Sequence, residues 1–181
     1  MALSLEKEIL LGIMGRFPLE ISFPIFVETG TNLGGTIFNV ETFFDKLFTI
    51  ELKEEFYERC KLMYTGNKIK FLLGDSSKIL PEIMNEIDNN VVFYLDAHWS
   101  AQNTAHGDKE NPLLEELDAI NKVKSYAILI IDDYRLFGVN IKDCNWSDIT
   151  EENILSRLDK NRILKTFVDW DRYVIYLNKI E

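Results

Sequence analysis

Short apolar stretches alternate with longer amphipathic stretches along most of the chain. The strand candidates are apolar and rich in β-branched residues, and they cover 25–28, 47–51, 69–73, 91–95 and 127–131. The helix candidates between them cover 34–46, 53–65, 76–88 and 111–124. Short apolar strands of this kind are typical of strands that helices cover on both faces. The alternation therefore predicts an α/β fold with a parallel, doubly wound sheet.

The two ends of the chain depart from this alternation. An amphipathic helix is predicted over 4–16, ahead of the first strand. After the alternation come a predicted helix over 151–160 and two strands, 163–168 and 173–177, separated by the short turn 169–172. Two strands so close in sequence form a hairpin. We therefore expect the parallel sheet to be closed by an antiparallel C-terminal hairpin.

The first strand passes directly into a turn rich in glycine and threonine. Its sequence is Val27-Glu28-Thr29-Gly30-Thr31-Asn32-Leu33-Gly34-Gly35-Thr36. In an open α/β sheet a nucleotide-like ligand lies at such a turn, because glycines let the backbone approach it closely. The next strand ends at Glu51, 21 residues after Gly30. At that spacing a carboxylate can accept hydrogen bonds from both hydroxyls of a ribose, so the pattern predicts an adenosine-containing cofactor.

The glycine spacing and Glu28 bear on which cofactor this is. A dinucleotide fingerprint is G-x-G-x-x-G, whereas Gly30 is followed by Gly34 and Gly35. A carboxylate at Glu28 would repel a pyrophosphate but can accept a bond from an ammonium group, which favours S-adenosylmethionine. The predicted cofactor-binding residues of this region are Glu28, Thr29, Gly30, Thr31, Gly34, Gly35, Thr36 and Glu51. The alternative is a glycine-rich turn that closes a strand–helix unit without any ligand.

Composition narrows the function classes. The 181 residues suffice for a single domain, with a lead-in at 1–24 and the α/β core at 25–181. The net charge of −10 and the lack of a basic run argue against nucleic acid as a partner. No apolar run is long enough to span a membrane, and Cys60 and Cys144 lack zinc or C-x-x-C spacing. We expect a cytoplasmic protein with unpaired thiols.

Several motifs together resemble a known enzyme family. They lie at 27–31, 49–51, 73–76, 94–98, 112–117 and 130–134, within a region of about residues 25–138. With the terminal hairpin, the pattern is similar to class I S-adenosylmethionine-dependent methyltransferases. Within that class it resembles the metal-dependent sugar O-methyltransferases of the macrocin O-methyltransferase type. The resemblance implies a Rossmann-like fold, S-adenosylmethionine as cofactor, and methyl transfer to a hydroxyl of a sugar or glycan.

Three aspartates follow the fourth and fifth predicted strands. Asp96 ends the fourth, and Asp132 and Asp133 end the fifth. Carboxylates that converge at the edge of a sheet repel one another unless a cation neutralises them, and hard oxygen ligands suit Mg²⁺. The sequence predicts that the three bind Mg²⁺ or another divalent cation, and the resemblance implies the same site. Asp96 is also predicted to contribute to catalysis and cofactor binding. The alternative is that some of these residues only cap turns.

Two further positions are assigned by the motifs. Asp75 and Ser76 follow the third strand, where the methyltransferase fold places the adenine, although either residue also suits the start of the next helix. His98 stands where the sugar methyltransferases that this chain resembles have a second aspartate, proposed there as the general base. A neutral imidazole suits that role, so His98 is the predicted base. The polar stretch 99–111, with His106, is a candidate substrate-binding loop.

Two other functions remain open from the sequence. A nicotinamide-dependent oxidoreductase is disfavoured by the missing G-x-G-x-x-G pattern and by Glu28. A methyltransferase-fold module that binds a glycan or partner without catalysis is separated from an enzyme only by an assay of turnover. The expected partner is a small-molecule or glycan acceptor, with no nucleic acid and no membrane, and a homodimer is allowed.

Overall fold

The computed structural model describes residues 4–97, 111–141 and 144–180. The strands are β1 Ile25–Thr29, β2 Lys46–Glu51, β3 Ile69–Leu73, β4 Val91–Leu95, β5 Ala127–Ile131, β6 Asn140–Ile141, β7 Cys144–Asn145, β8 Ile163–Asp169 and β9 Arg172–Leu177. The helices are α1 Lys7–Gly15, α2 Gly35–Val40, α3 Glu54–Met63, α4 Ser76–Ile83, α5 Leu113–Ile120 and α6 Glu151–Ser156. In the described ranges no helix is long and apolar enough to cross a bilayer.

Seven strands form one sheet in the order β3-β2-β1-β4-β5-β9-β8. The first five in this order are parallel, β9 pairs antiparallel with β5, and β8 pairs antiparallel with β9. The predicted α/β fold, with a parallel sheet closed by a C-terminal hairpin, is therefore confirmed. A separate two-stranded hairpin of β6 and β7 was not predicted, since each strand has two residues and no alternation can show in so short a segment.

Apolar residues cover both faces of the sheet. One core joins alternate residues of the central strands, such as Val27 and Phe93, to α4, α5 and α6 through residues such as Leu80, Leu117 and Ile154. The other core packs the opposite strand positions against α1 and α2. Burial on both faces explains why the central strands read as continuous apolar runs. Cys60 of α3 is a buried free thiol, and burial raises its pKa to about 11.

The helices are shorter than the sequence predicted. The predicted helix 34–46 ends at Val40, continues as a 3₁₀ turn over Glu41–Phe43, and gives way to β2. The chain leaves the helix there because the backbone N–H groups of Asp45 and Lys46 both bond to the carbonyl of Pro24. The same shortening occurs in α4, which passes into a 3₁₀ turn at Met84–Glu86. Sheet pairing and close packing thus override helical periodicity at these ends.

Candidate functional site

The strand order reverses between β1 and β4, which is where ligands bind in open α/β sheets. The turn after β1 and the turn after β4 meet at this point. Gly30 has φ +85°, and a Cβ added there would lie 2.4 Å from the backbone oxygen of Asp96. Only glycine fits, because the contact is with backbone and the conformation is left-handed. Gly30 therefore lets the turns after β1 and β4 pack closely together, and its predicted contact with a cofactor stays a prediction.

The start of α2 is covered by the beginning of the chain. Gly34 is left-handed, with φ +80°, and a Cβ on Gly35 would lie 2.2 Å from the Ser4 hydroxyl oxygen. The hydroxyl of Thr36 accepts a 3.0 Å hydrogen bond from the backbone N–H of Leu5. The predicted cofactor-binding residues Gly35 and Thr36 thus contact the N-terminal segment in this structure. Their contact with a cofactor stays a prediction.

Glu28 lies beneath the glycine turn and is 1% exposed. The hydroxyl of Thr49 donates a 2.7 Å hydrogen bond to its carboxylate, and Thr31 lies 2.5 Å from Thr49, oxygen to oxygen. Burial, together with the charge of Glu51, raises the pKa of Glu28 to about 8, against the lowering effect of hydrogen bonds from Thr49 and Thr36. An ammonium group is the kind of ligand that would return this carboxyl to its charged form.

Glu51 is tied to the same turn from the neighbouring strand. One carboxylate oxygen accepts a 2.7 Å hydrogen bond from the backbone N–H of Asn32, and the other accepts a 2.8 Å bond from the backbone N–H of Lys53. Each carboxylate oxygen can accept a second bond. The predicted ribose contact is therefore compatible with the bonds already formed.

Asp75 caps the N-terminus of α4, which was the second role that the sequence allowed for it. Its carboxylate accepts bonds from the backbone N–H and the hydroxyl of Ser77, at 2.9 and 2.6 Å. Ser76, the first residue of α4, is buried and lies beside Glu116. Whether Asp75 and Ser76 also touch an adenine stays a prediction.

The predicted metal ligands lie close together at the ends of β4 and β5. The hydroxyl of Tyr94 donates a 2.8 Å hydrogen bond to Asp132 and lies 3.5 Å from the Asp96 carboxylate. The Nε atom of Arg172 lies 3.3 Å from the other oxygen of Asp132. Burial raises the pKa of Asp132, against the lowering effects of Arg172 and Tyr94. The structure thus brings Asp96 and Asp132 together through a shared tyrosine.

Asp133 is paired with a different arginine, Arg135. It adopts a left-handed conformation, with φ 58°, and its carboxylate pairs with Arg135, which also contacts Asp171. Asp133 is buried, whereas the Arg135 side chain is 58% exposed. Both aspartates after β5 therefore have a guanidinium partner in this conformation.

These contacts do not fit a divalent cation. Mg²⁺ requires carboxylate oxygens at about 2.0–2.1 Å in near-octahedral geometry. Here both oxygens of Asp132 are engaged by Tyr94 and Arg172, and Asp133 is engaged by Arg135. Within the described part of the chain, no group of three or more His, Cys, Asp or Glu residues is arranged to hold a metal ion. The three-aspartate metal site stays a prediction, and no chemical step below is assigned to a metal.

A buried carboxyl group that the site prediction omitted lies next to this region. Glu116 of α5 is 1% exposed, and burial raises its pKa to about 7, against the lowering effect of a hydrogen bond from Ser76. It lines a small cavity with Leu95, Ala97, Asn111, Pro112, Leu113, Ile131 and Trp146. Glu116 Oε1 and Asn111 Nδ2 are buried with no hydrogen-bond partner among the described residues. Its position in the motif at 112–117 was the sequence signal that could have indicated a role in the site. The signal is weak, because a glutamate at this position also fits the exposed face of a helix.

The predicted general base, His98, lies outside the described residues, as do His106 and most of the candidate loop 99–111. Of that loop only Asn111 is described, and its side-chain oxygen accepts a 3.0 Å bond from the backbone N–H of Leu113 at the start of α5. The roles of His98 and of the loop therefore stay predictions.

No family model and no curated protein match the sequence. Solved structures match its fold. The candidate methyltransferase yhhF from Escherichia coli has a TM-score of 0.60 at 8% identity, over 100% of this chain and 90% of that one. The N-methyltransferase NodS from Bradyrhizobium japonicum has 0.58 at 10%, over 97% and 96%. SMU.1697c from Streptococcus mutans, a candidate methyltransferase solved in complex with SAH, has 0.58 at 10%, over 97% and 99%. At these identities the likeness establishes the fold, and the chain has the Rossmann-like fold of these methyltransferases.

Proposed function

We propose that the protein is an S-adenosylmethionine-dependent methyltransferase that methylates a hydroxyl group of a sugar or glycan. The observation that carries the proposal is the meeting of the Gly30 turn with the backbone of Asp96, with Glu51 bonded to the same turn. This crevice lies at the strand-order reversal of a fold shared with a methyltransferase-like structure in complex with SAH. The hydroxyl acceptor rests on the sequence resemblance.

The residues at the crevice suit the parts of this cofactor. Glu51 accepts bonds from the ribose hydroxyls with the lone pairs that Asn32 and Lys53 leave unused. Glu28, the buried carboxyl beneath the turn, is the proposed acceptor for the cationic amino-acid end. Gly30, without a side chain, lets the turn after β1 pack against the backbone at the end of β4. Since the crevice carries the carboxyl groups of Glu28 and Glu51, it suits a cation better than a pyrophosphate.

The chemistry then requires positioning and removal of one proton. When bound, the cofactor supplies an electrophilic methyl group on a sulfonium. The chain holds the acceptor hydroxyl in line with that methyl group and excludes water from it. His98 is the proposed acceptor of the hydroxyl proton. The acceptor oxygen would gain the methyl group that the cofactor supplies, S-adenosylhomocysteine would be left, and the hydroxyl proton would pass to His98.

Calorimetry followed by mass spectrometry tests the proposal. We expect S-adenosylhomocysteine to bind the purified protein and NAD not to bind. Incubation with S-adenosylmethionine and a panel of sugar acceptors should then add a methyl group to oxygen. Tight NAD binding without a response to S-adenosylhomocysteine would indicate an oxidoreductase. Cofactor binding without transfer to any acceptor would favour a non-catalytic module, and transfer only to nitrogen would overturn the hydroxyl assignment.

A further inference from the structure

Asp132 and Arg172 form an ion pair at the carboxyl edge of the sheet, and both are about 5% exposed. The Nε atom of Arg172 lies 3.3 Å from one carboxylate oxygen of Asp132. The hydroxyl of Tyr94 donates a 2.8 Å hydrogen bond to the other oxygen. A buried carboxylate is stable only when it is paired and hydrogen-bonded, and Asp132 meets both conditions with side chains of its own chain.

The topology of the sheet places Arg172 at this position. β9 runs antiparallel to β5, with Ile131 opposite Tyr173. Arg172 therefore begins β9 beside Asp132, the residue that follows β5. The C-terminal hairpin thus delivers a guanidinium to the edge at which the glycine turn and Asp96 lie. Arg172 is part of the sheet, so its charge is fixed in place by the fold.

Arg135, a second arginine at this edge, is much more exposed than Arg172. Arg135 pairs with Asp133 and Asp171, and its side chain is 58% exposed. Exposed ion pairs are screened by water and contribute little. Arg172 is covered by protein, so its charge acts on Asp132 with little screening. Arg172 is therefore the arginine whose charge acts on Asp132.

We propose that the Arg172 guanidinium supplies, from within the fold, the positive charge that a metal-dependent methyltransferase takes from a divalent cation, so that this crevice works without a metal. Arg172 acts as a positioning residue: it fixes Asp132, which in turn accepts the hydrogen bond of the Tyr94 hydroxyl and holds that hydroxyl 3.5 Å from Asp96. A divalent cation at Asp132 would have to displace the Tyr94 hydroxyl and lie against a buried guanidinium. The catalytic meaning of this inference rests on the proposed function, but its metal-binding content does not.

The inference can be tested without measuring turnover. Electron paramagnetic resonance measures the binding of Mn²⁺ to the purified full chain. We expect the wild-type protein to bind no Mn²⁺ at millimolar concentration. Arg172→Gln removes the buried positive charge beside Asp132, so it should gain Mn²⁺ binding. Tyr94→Phe is the matched control, because it also removes a contact to Asp132 but leaves the guanidinium, and it should gain none. Adding Asp132→Asn to Arg172→Gln should abolish the gained binding.

Two results would overturn the inference. One is Mn²⁺ binding by the wild-type protein that Asp132→Asn removes, and the other is a folded Arg172→Gln protein that gains no binding. If Arg172→Gln does not fold, the wild-type result decides alone, together with methyl transfer in excess EDTA, which should proceed at the rate without EDTA. Calorimetry with S-adenosylhomocysteine tests the proposed function separately, so failure of one is distinguishable from failure of the other.

Discussion

Glu51, at the end of β2, and Asn32, in the turn after β1, are joined by a 2.7 Å hydrogen bond from the Asn32 backbone N–H to the Glu51 carboxylate. The acidic group that the sequence assigns to a ribose is thus also a structural tie to the glycine turn. Because the same carboxylate holds the Lys53 N–H, its orientation is fixed before any ligand arrives. Such preorganisation lowers the entropic cost of binding.

Glu51→Ala should weaken S-adenosylhomocysteine binding at least about tenfold, since charge-assisted hydrogen bonds contribute about 1.5–3 kcal/mol each. Titration calorimetry measures the change. Glu55→Ala is the matched control, because Glu55 lies on α3 with a 77% exposed side chain and should leave the affinity unchanged. Equal affinities for the wild-type protein and Glu51→Ala would remove Glu51 from the binding site.

Glu28 should make the folding stability depend on pH. Its pKa is raised from 4.5 to about 8, so the folded protein keeps a proton that the unfolded chain releases. The contribution of Glu28 to the free energy of unfolding is therefore fully present below pH about 4.5, falls as pH rises, and levels off above pH about 8. Glu28→Gln should flatten this decline and raise the free energy of unfolding at pH 8 by a few kcal/mol at most. Urea unfolding from pH 4 to 9 measures it, and parallel curves for the two proteins would contradict it.

Glu116 should also make the folding stability fall as pH rises, but over a narrower pH range than Glu28. Its pKa of about 7 means that stability is lost between pH about 4.5 and about 7. Glu116→Gln removes the titration but keeps the shape, so the decline should become smaller and end at the pH set by Glu28. Glu55→Gln, at a 77% exposed side chain of α3, is the control and should leave the profile unchanged. A Glu116→Gln profile identical to that of the wild-type protein would show that Glu116 does not titrate in this range.

Gly30→Ala should destabilise the protein more than any strain in φ alone explains. The added Cβ would lie 2.4 Å from the Asp96 carbonyl oxygen, and the alanine would also have to adopt the left-handed φ of +85°. Gly138→Ala isolates the second effect, because Gly138 has φ +75° but no described atom within 4 Å of the added Cβ. We expect Gly138→Ala to cost about 1–2 kcal/mol and Gly30→Ala clearly more.

Gly12→Ala, in the middle of α1 with open space around it, completes this comparison and should stabilise by roughly 0.5–1 kcal/mol. Thermal and urea unfolding measure all three variants. Equal losses for Gly30→Ala and Gly138→Ala would show that the contact between the two turns is not tight in solution.

His98→Ala should lower turnover by ~10²–10⁴-fold if His98 is the general base, while S-adenosylhomocysteine binding is retained. His106→Ala is the control, as the second of the two histidines in the chain. His98→Asp, which introduces the residue of the related sugar methyltransferases, should keep part of the activity with the pH limb moved to lower pH, because a carboxylate is the weaker base. Wild-type turnover by His98→Ala would assign proton removal to another group.

The sequence by itself determined the fold, because local patterns carry that information. Continuous apolar runs alternating with amphipathic segments predicted β1 to β5 and the helices between them, and the two strands after 160 predicted the hairpin of β8 and β9. It also located the glycine turn, Glu51 and the strand-end aspartates, because parallel strands place their carboxyl ends at one edge. The helix ends were predicted less well, since sheet pairing, as at Asp45 and Lys46, decides where a helix stops.

Only the tertiary structure decided what each acidic residue contacts. The sequence predicts Asp96, Asp132 and Asp133 as metal ligands from their carboxylates, whereas the arginines beside Asp132 and Asp133 are visible only in the fold. Arg172 is 40 residues from Asp132 along the chain, and it reaches that carboxylate only because β9 pairs antiparallel with β5. Glu116 was missed for the same reason: burial, which sets its pKa, arises from packing between elements and has no local signature.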